Sequence, residues 1–405
     1  MAHRVSRSAE DELRLTWCVR PKSSRRRLDD GTSMPLLREV EPGPPPKLEL
    51  ERAAWSVRLN ESRLAIGFDW RTDPLQLRSP LLDIVYIVSL VIIVAVPGSL
   101  RSLAAEQPSD VPAWLRAHVG DGEGQIAPVV LQRARALYVR KTSDGATKNP
   151  CYFAMDATRP HALGPAGRRF YVICEADRSF RAISSGHGGG RNLKGIANFA
   201  NGKRCAKNFG NAMGSMQTTG GAYVTSEEIT SFKGYYRVSG RDAALTRSFV
   251  QFDGGGETAN ARQREIGGHA ALLLRGLCLR KKPDSPYADK KGYVPFGMPE
   301  NYTDGRSSGC TSWSPSDAAQ IIPMMREKPT TLYIYPESTD IEAVAQAVKA
   351  GRSPSGAGLY WNASCLREIR SPKFWPKEAL EPIIARYEKA HPAPPPRQTP
   401  ICKTR

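Results

Sequence analysis

No apolar run in this chain reaches the length that a membrane-crossing helix needs. The longest, Ile84 to Val96, has thirteen residues with only Ser89 interrupting it. At ~1.5 Å per residue it spans roughly 20 Å, against a hydrocarbon core of ~30 Å. Acidic residues are also in short supply, with 40 Asp and Glu against 58 Lys and Arg, a formal net charge of +18. Sixteen basic and thirteen acidic residues precede Ala105, so +15 of that charge lies downstream. An excess of that size favours an anionic partner, either nucleic acid or a bacterial cell wall. The Lys and Arg residues are scattered, with no arginine-rich helix and no nucleic-acid motif, which argues against nucleic acid. No internal repeat is present. A composition of 40 % apolar and 24 % charged residues excludes disorder throughout, and 405 residues suit two or three domains.

The thirteen-residue run has the length of a signal-peptide core. Arg71 and Arg78 precede it, Pro97-Gly98 end it, and Ser102-Leu103-Ala104 is a small-x-small cleavage pattern. This predicts a signal peptide over 76–104, a mature chain from Ala105, and a place in the periplasm or cell envelope. Residues 1–75 are rich in Arg and Pro and without period. They read as a mis-assigned start, with translation beginning near Leu75 or Leu77, or as a disordered tail.

Seven cysteines follow the cleavage pattern: Cys151, Cys174, Cys205, Cys278, Cys310, Cys365 and Cys402. An odd number in an exported chain means up to three disulfides and one thiol left over. Six cysteines allow fifteen connectivities, so the pairing stays open.

Residues 105–150 carry a helical pattern, with Trp114, Leu115 and His118 in one patch and Val129, Val130, Leu131, Ala134, Leu137 and Tyr138 in another. From 151 the pattern changes to short strands broken by glycine clusters. Arg169 to Cys174 and Phe180 to Ser184 read as paired strands, and Thr330 to Tyr335 as the last strand. A mainly β domain over 151–337 follows. Ser314-Pro315-Ser316-Asp317 and Thr339-Asp340-Ile341-Glu342 are capping boxes; the second opens a stripe of Ile341, Val344, Ala345 and Val348. Residues 338–390 read as a helical extension with one helix over 372–390, and 391–405 as a proline-rich tail or spacer.

Two constellations carry chemistry. Gly305-Arg306-Ser307-Ser308-Gly309 satisfies G-x-S-x-G, and His187-Gly188-Gly189-Gly190 has the look of an oxyanion motif. A nucleophile elbow needs a buried strand running into it, and Met298 to Asp304 is no such strand. The only later histidine, His391, lies in the proline tail, which makes a serine hydrolase using Ser307 the lesser reading.

The second is Cys310 with His269. Cys310 lies ahead of the helix that starts at Pro315, where the helix dipole favours a thiolate, and Gly309 lets a carbonyl approach backbone N–H groups. His269, after Gly267-Gly268, supplies a base. A cysteine protease would show the reverse order, with an Asn or Trp partner motif that this chain lacks.

Ser307-Ser308-Gly309-Cys310 resembles the S-x-G-C signature of the L,D-transpeptidases, and within them the murein L,D-transpeptidase catalytic-domain family. The likeness runs in order through Tyr152 to Asp156, Arg169 to Ile173, Gly186-His187-Gly188, and Gly214-Ser215 to Tyr223. It continues through Arg264 to His269, Gly305 to Cys310, and Leu332 to Pro336, covering residues 130–337. Where the family has His-Gly this chain has His269-Ala270, and residues 275–304 are longer, as a lid or as an insertion that displaces His269.

The resemblance implies an L,D-transpeptidase-like β-sandwich with short helices. It implies acyl transfer on peptidoglycan stem tetrapeptides through a Cys310 thioester, with 3–3 cross-linking or a carboxypeptidase outcome. His269 would be the base, Gly309 and Cys310 the oxyanion N–H donors, Ser307 and Ser308 substrate neighbours, and Arg306 the holder of a substrate carboxylate. No metal or organic cofactor and no stable protein partner is implied; stem peptides and the anionic wall are the partners. The alternative of another class is a non-catalytic wall-binding relative with structural cysteines.

Overall fold

The computed structural model describes residues 111–161, 167–302, 306–395 and 397–403. The expected signal peptide over 76–104 and the segment before it lie outside the described residues.

Ten strands carry the architecture: β1 (Cys151–Asp156), β2 (Arg168–Cys174), β3 (Ser179–Ser184), β4 (Gly221–Val238), β5 (Arg241–Gly254), β6 (Gly267–Ala270), β7 (Leu272–Lys281), β8 (Tyr293–Asn301), β9 (Thr311–Trp313) and β10 (Thr331–Tyr335). They form one mixed sheet in the order β9-β6-β5-β4-β10-β1-β2-β3, with the β7–β8 hairpin joined to β4 through β8. The chain is mainly β with a few helices. Hydrogen bonds join eight of these strands in one path, and the β7–β8 hairpin branches from it at β4.

β1 and β10 pair in parallel at the centre, and every residue of both is buried. Phe153 and Met155 enter one core while Tyr152 and Ala154 enter the other. A strand covered on both faces shows an unbroken apolar run rather than alternation, which is why these segments are so readable. Helix α1 (Pro128–Ser143) opens with proline and lays Val130, Leu131, Ala134 and Leu137 on one face of the sheet. Leu115 is buried beside it in a short 3₁₀ turn, and His118 stacks on Phe180 at 4.5 Å.

The other face takes α2 (Pro315–Met325) and α3 (Ser338–Lys349). Ser314 caps α2 as expected, its Oγ accepting the Asp317 N–H at 3.1 Å. In α3 the reciprocal cap is Glu337 with Asp340, so Thr339 lies inside the first turn. The buried stripe there is Ile341, Val344 and Ala347, with the expected Ala345 turned partly outward.

Residues 338–390 are not set apart from the sheet. Ile341, Val344, Cys365 and Ile369 belong to the same core as β1 and β10, and Cys205–Cys365 ties them in. The single helix expected over 372–390 is a strand, Lys373–Trp375, paired with Asn208–Gly210, followed by helix α5 (Lys377–Ala390). Helix α4 (Ala363–Ile369) was not anticipated, and because Lys373–Trp375 is a strand, Thr331–Tyr335 is not the last one. The proline tail is no free spacer. Ile401 pairs with Leu279, Leu279 donates to the Pro400 carbonyl at 2.7 Å, and Cys278–Cys402 closes the contact.

Disulfides Cys151–Cys174, Cys205–Cys365 and Cys278–Cys402 use six of the seven cysteines among the described residues, all but Cys310. Such bonds belong to an oxidising, extracytoplasmic environment. Among the described residues no helix is long and apolar enough to cross a membrane.

Candidate active site

β6 lies between β5 and β9, and this placement brings the two predicted residues together. His269 is in register with Phe249 on one side and Ser312 on the other. Cys310 precedes Thr311, the first residue of β9, two positions before Ser312, so it shares the His269 face. Strand spacing and rise place the two Cα atoms about 8 Å apart. Phe249 confirms the common face, since it stacks with His269 at a 6.3 Å centroid distance and packs against Cys310. Both side chains are buried.

Glycine is required on each side of the pair. A Cβ on Gly268 would lie 2.2 Å from the Trp313 ring. Gly309 has φ of +107°, and a Cβ there would sit 2.9 Å from both the Gln217 carbonyl oxygen and Ile266 Cδ1. Gly309→Ala is therefore expected to cost about 1–3 kcal/mol, through left-handed strain and the displaced 215–219 loop. Urea unfolding checks this; an unchanged midpoint would refute it.

His269 Nδ1 lies 2.9 Å from the Ala270 carbonyl oxygen and 3.3 Å from the Tyr302 hydroxyl. A carbonyl can only accept, so Nδ1 carries the hydrogen and Nε2 holds the lone pair. Burial, reinforced by the Arg247 charge, holds the imidazole pKa well below its ordinary value. The neutral base-competent form is thus the resting state near neutrality.

That depression sets a pH dependence. The unfolded histidine binds its proton at a pH where the folded one does not, so this contribution is present above about pH 6.5 and is lost as pH falls toward the folded value. His269→Gln is expected to flatten the decline of stability between pH 6.5 and 5, read as denaturation midpoints at several pH values. An identical slope in both proteins would contradict it.

Cys310 Sγ is 3.5 Å from the Glu265 carbonyl oxygen. Cys310 takes part in none of the three bridges above. The left-over thiol expected from the odd cysteine count is not found among the described residues: Cys310 too is disulfide-bonded in the full-length chain. The helix-dipole argument for this cysteine does not hold. Strand β9 separates Cys310 from the start of α2, and a dipole effect fades within the first turn.

Ser307 closes the turn. Its Oγ donates to the Cys310 carbonyl and accepts the Gly309 N–H at 3.2 Å. An oxyanion role for the Gly309 N–H would require that bond to be given up. Ser308 is half-buried in the same turn. Arg306 and Ser307 form a two-residue strand paired with His187 and Gly188, which brings both hydrolase-like motifs together. They still make no triad. His187 is buried, its Nδ1 accepting from Arg169 Nη2 at 2.7 Å and its Nε2 donating to the Gly202 carbonyl at 3.1 Å. Both ring nitrogens are committed, so His187 is not a base for Ser307.

Two residues of the site escaped the sequence reading. Tyr302 follows β8; the described part of the long segment, residues 275–302, is no lid and does not displace His269, but forms most of the β7–β8 hairpin and brings a hydroxyl to His269. Arg264 was visible only as part of a motif. Its guanidinium donates to the Gln217 carbonyl at 2.7 Å and to Thr219 Oγ1, clamping the loop on which Gly309 rests. Burial pushes its pKa down to about 10. Among the described residues no group of His, Cys, Asp and Glu is placed to hold a metal ion. No protein-family model, curated protein or solved structure matches the chain.

Proposed function

We propose that the chain is an exported cysteine acyltransferase of the L,D-transpeptidase kind, acting on peptidoglycan stem peptides, with the β-sandwich fold of those enzymes. The observation that carries this reading is that His269 of β6 and Cys310, the residue just ahead of the parallel strand β9, both pack against Phe249, with His269 Nδ1 held by the Ala270 carbonyl. That is a nucleophile, a base and an orienting group. Because the orienting group is a backbone carbonyl, alanine in place of glycine at 270 leaves it intact.

In the reaction His269 Nε2 takes the Cys310 thiol proton. The thiolate attacks the carbonyl between the third residue and the terminal D-alanine, and the imidazolium returns the proton to the departing amine. The resulting thioester is opened by an amine of a second stem, or by water. Cys310 is disulfide-bonded in the full-length chain, so the reaction begins only once an external dithiol has reduced that bond by thiol–disulfide exchange and left the Cys310 thiol. Both reacting groups are buried, so stem peptide enters by displacing their cover.

The test is intact-mass analysis of the 105–405 chain with stem tetrapeptide and with a carbapenem-type β-lactam. An adduct mapped to Cys310 supports the reading, and no adduct with either overturns it. The second reading, a wall-binding relative, is favoured by the bonded state of Cys310 in the full-length chain. A Cys310 that remains bridged in the mature protein would establish that reading.

A further inference from the structure

The β4–β5 and β7–β8 hairpins extend beyond the central sheet and gather cations on one face. Tyr235 is in register with Phe296 of β8, and Phe296 with Cys278 of β7. Alternation then places Lys233, Tyr235 and Arg237 of β4 on the same face as Arg280 and Phe296. The contacts agree. Arg280 lies over the Phe296 ring at 3.4 Å, Lys282 over Tyr235 at 4.2 Å, and Lys233 over Tyr287 at 5.7 Å.

Among the described residues, one carboxylate is paired with cations of this face. Asp242 is 3.1 Å from Arg237, 3.0 Å from Arg280 and 3.9 Å from Lys282. The face therefore carries a net +3. Asp284 and Asp289, in the adjoining turn, are matched in number by Lys290 and Lys291. Convergence of three cations on Asp242 shows what this fork accepts, a carboxylate or similar oxyanion, through charge-assisted hydrogen bonds.

We propose that this face binds the repeated anionic groups of a cell-surface polysaccharide. Two observations favour a glycan over nucleic acid. The aromatic faces already carry their own cations, so they are not platforms on which bases could stack. The hairpin is also closed by Cys278–Cys402, a bond of the oxidising exterior where surface glycans are the abundant polyanions. The inference stands apart from the active-site reading, since a non-catalytic wall protein would use the same face.

The experiment measures binding of the full chain, disulfides intact, to polygalacturonate at low and high salt, with neutral dextran as the blank. Replacing Lys233, Arg237, Arg280 and Lys282 together by glutamine is expected to weaken binding at least about tenfold and to flatten its salt dependence. A control with Lys349, Arg352, Lys377 and Lys389 replaced by glutamine removes the same charge elsewhere and is expected to change binding less than about twofold. Asp242→Asn removes the internal competitor and is expected to tighten binding, which keeps the test decisive should the quadruple variant fold poorly. Equal losses in arm and control variants, or no tightening in Asp242→Asn, overturn the proposal. Tighter binding to poly(dT) than to polygalacturonate overturns the choice of glycan.

Discussion

Cys310→Ala is expected to abolish acyl-enzyme formation with stem tetrapeptide and with a carbapenem. It removes the atom that forms the thioester, while the loss of one sulfur beside Phe249 and Ile229 leaves the fold standing. His269→Ala is expected to lower acylation by about 10²-fold or more, because an unassisted thiol of pKa ~8.5 is only a few per cent thiolate at neutral pH. The double variant is expected to be hardly worse than Cys310→Ala, since groups acting in one step are non-additive. Ser307→Ala is expected to retain a measurable adduct, its hydroxyl closing a turn rather than attacking. Adduct formation by Cys310→Ala, or its complete loss in Ser307→Ala alone, would remove the thiol mechanism.

The second large effect concerns the Cys205–Cys365 bridge. Both cysteines are fully buried in the main core and stand 160 residues apart. Cross-linking so distant a pair strips the unfolded chain of much loop-closure freedom, and Cys205→Ala with Cys365→Ala is expected to cost about 3–5 kcal/mol. The measurement is a lowered denaturant midpoint at unchanged slope. Cys278–Cys402 offers the contrast: half-buried, it holds the tail against β7. Its loss is expected to release residues 391–403 to proteases while the main transition moves little. Equal midpoint shifts for the two bridges would contradict this division.

The stretches of sequence that could be read correctly are those whose partners lie within a few residues. β2 and β3 are joined by a turn, and α2 carries its own cap in Ser314 and Asp317. β10 is legible because burial on both faces gives it a nearly unbroken apolar run, Leu332 to Tyr335. The proximity of Cys310 to His269 was inferred from the resemblance, since nothing local relates two residues 41 positions apart. The reach of the 275–304 segment was not legible at all. Whether such a run covers, displaces or extends depends on the edge it finds, and β4 is long enough to lend its far half to β8.

The same holds for the site and the surface. By itself the sequence determined the mainly β character, the start of α2 at Pro315, the odd number of cysteines beyond Ala105 and the positive charge of that part of the chain. Each follows from residue type, period or count, which need no knowledge of distant neighbours. Only the tertiary structure decided that Ser307 is a turn-closing hydroxyl, that His187 is locked by Arg169 and Gly202, and that Tyr302 reaches His269. It also turned a scattered excess of charge into one face with four cations around Asp242. Hydrogen-bond partners and local fields come from strand register across separations of tens to hundreds of residues, and register is set by which long-range pairs can bury their apolar faces together.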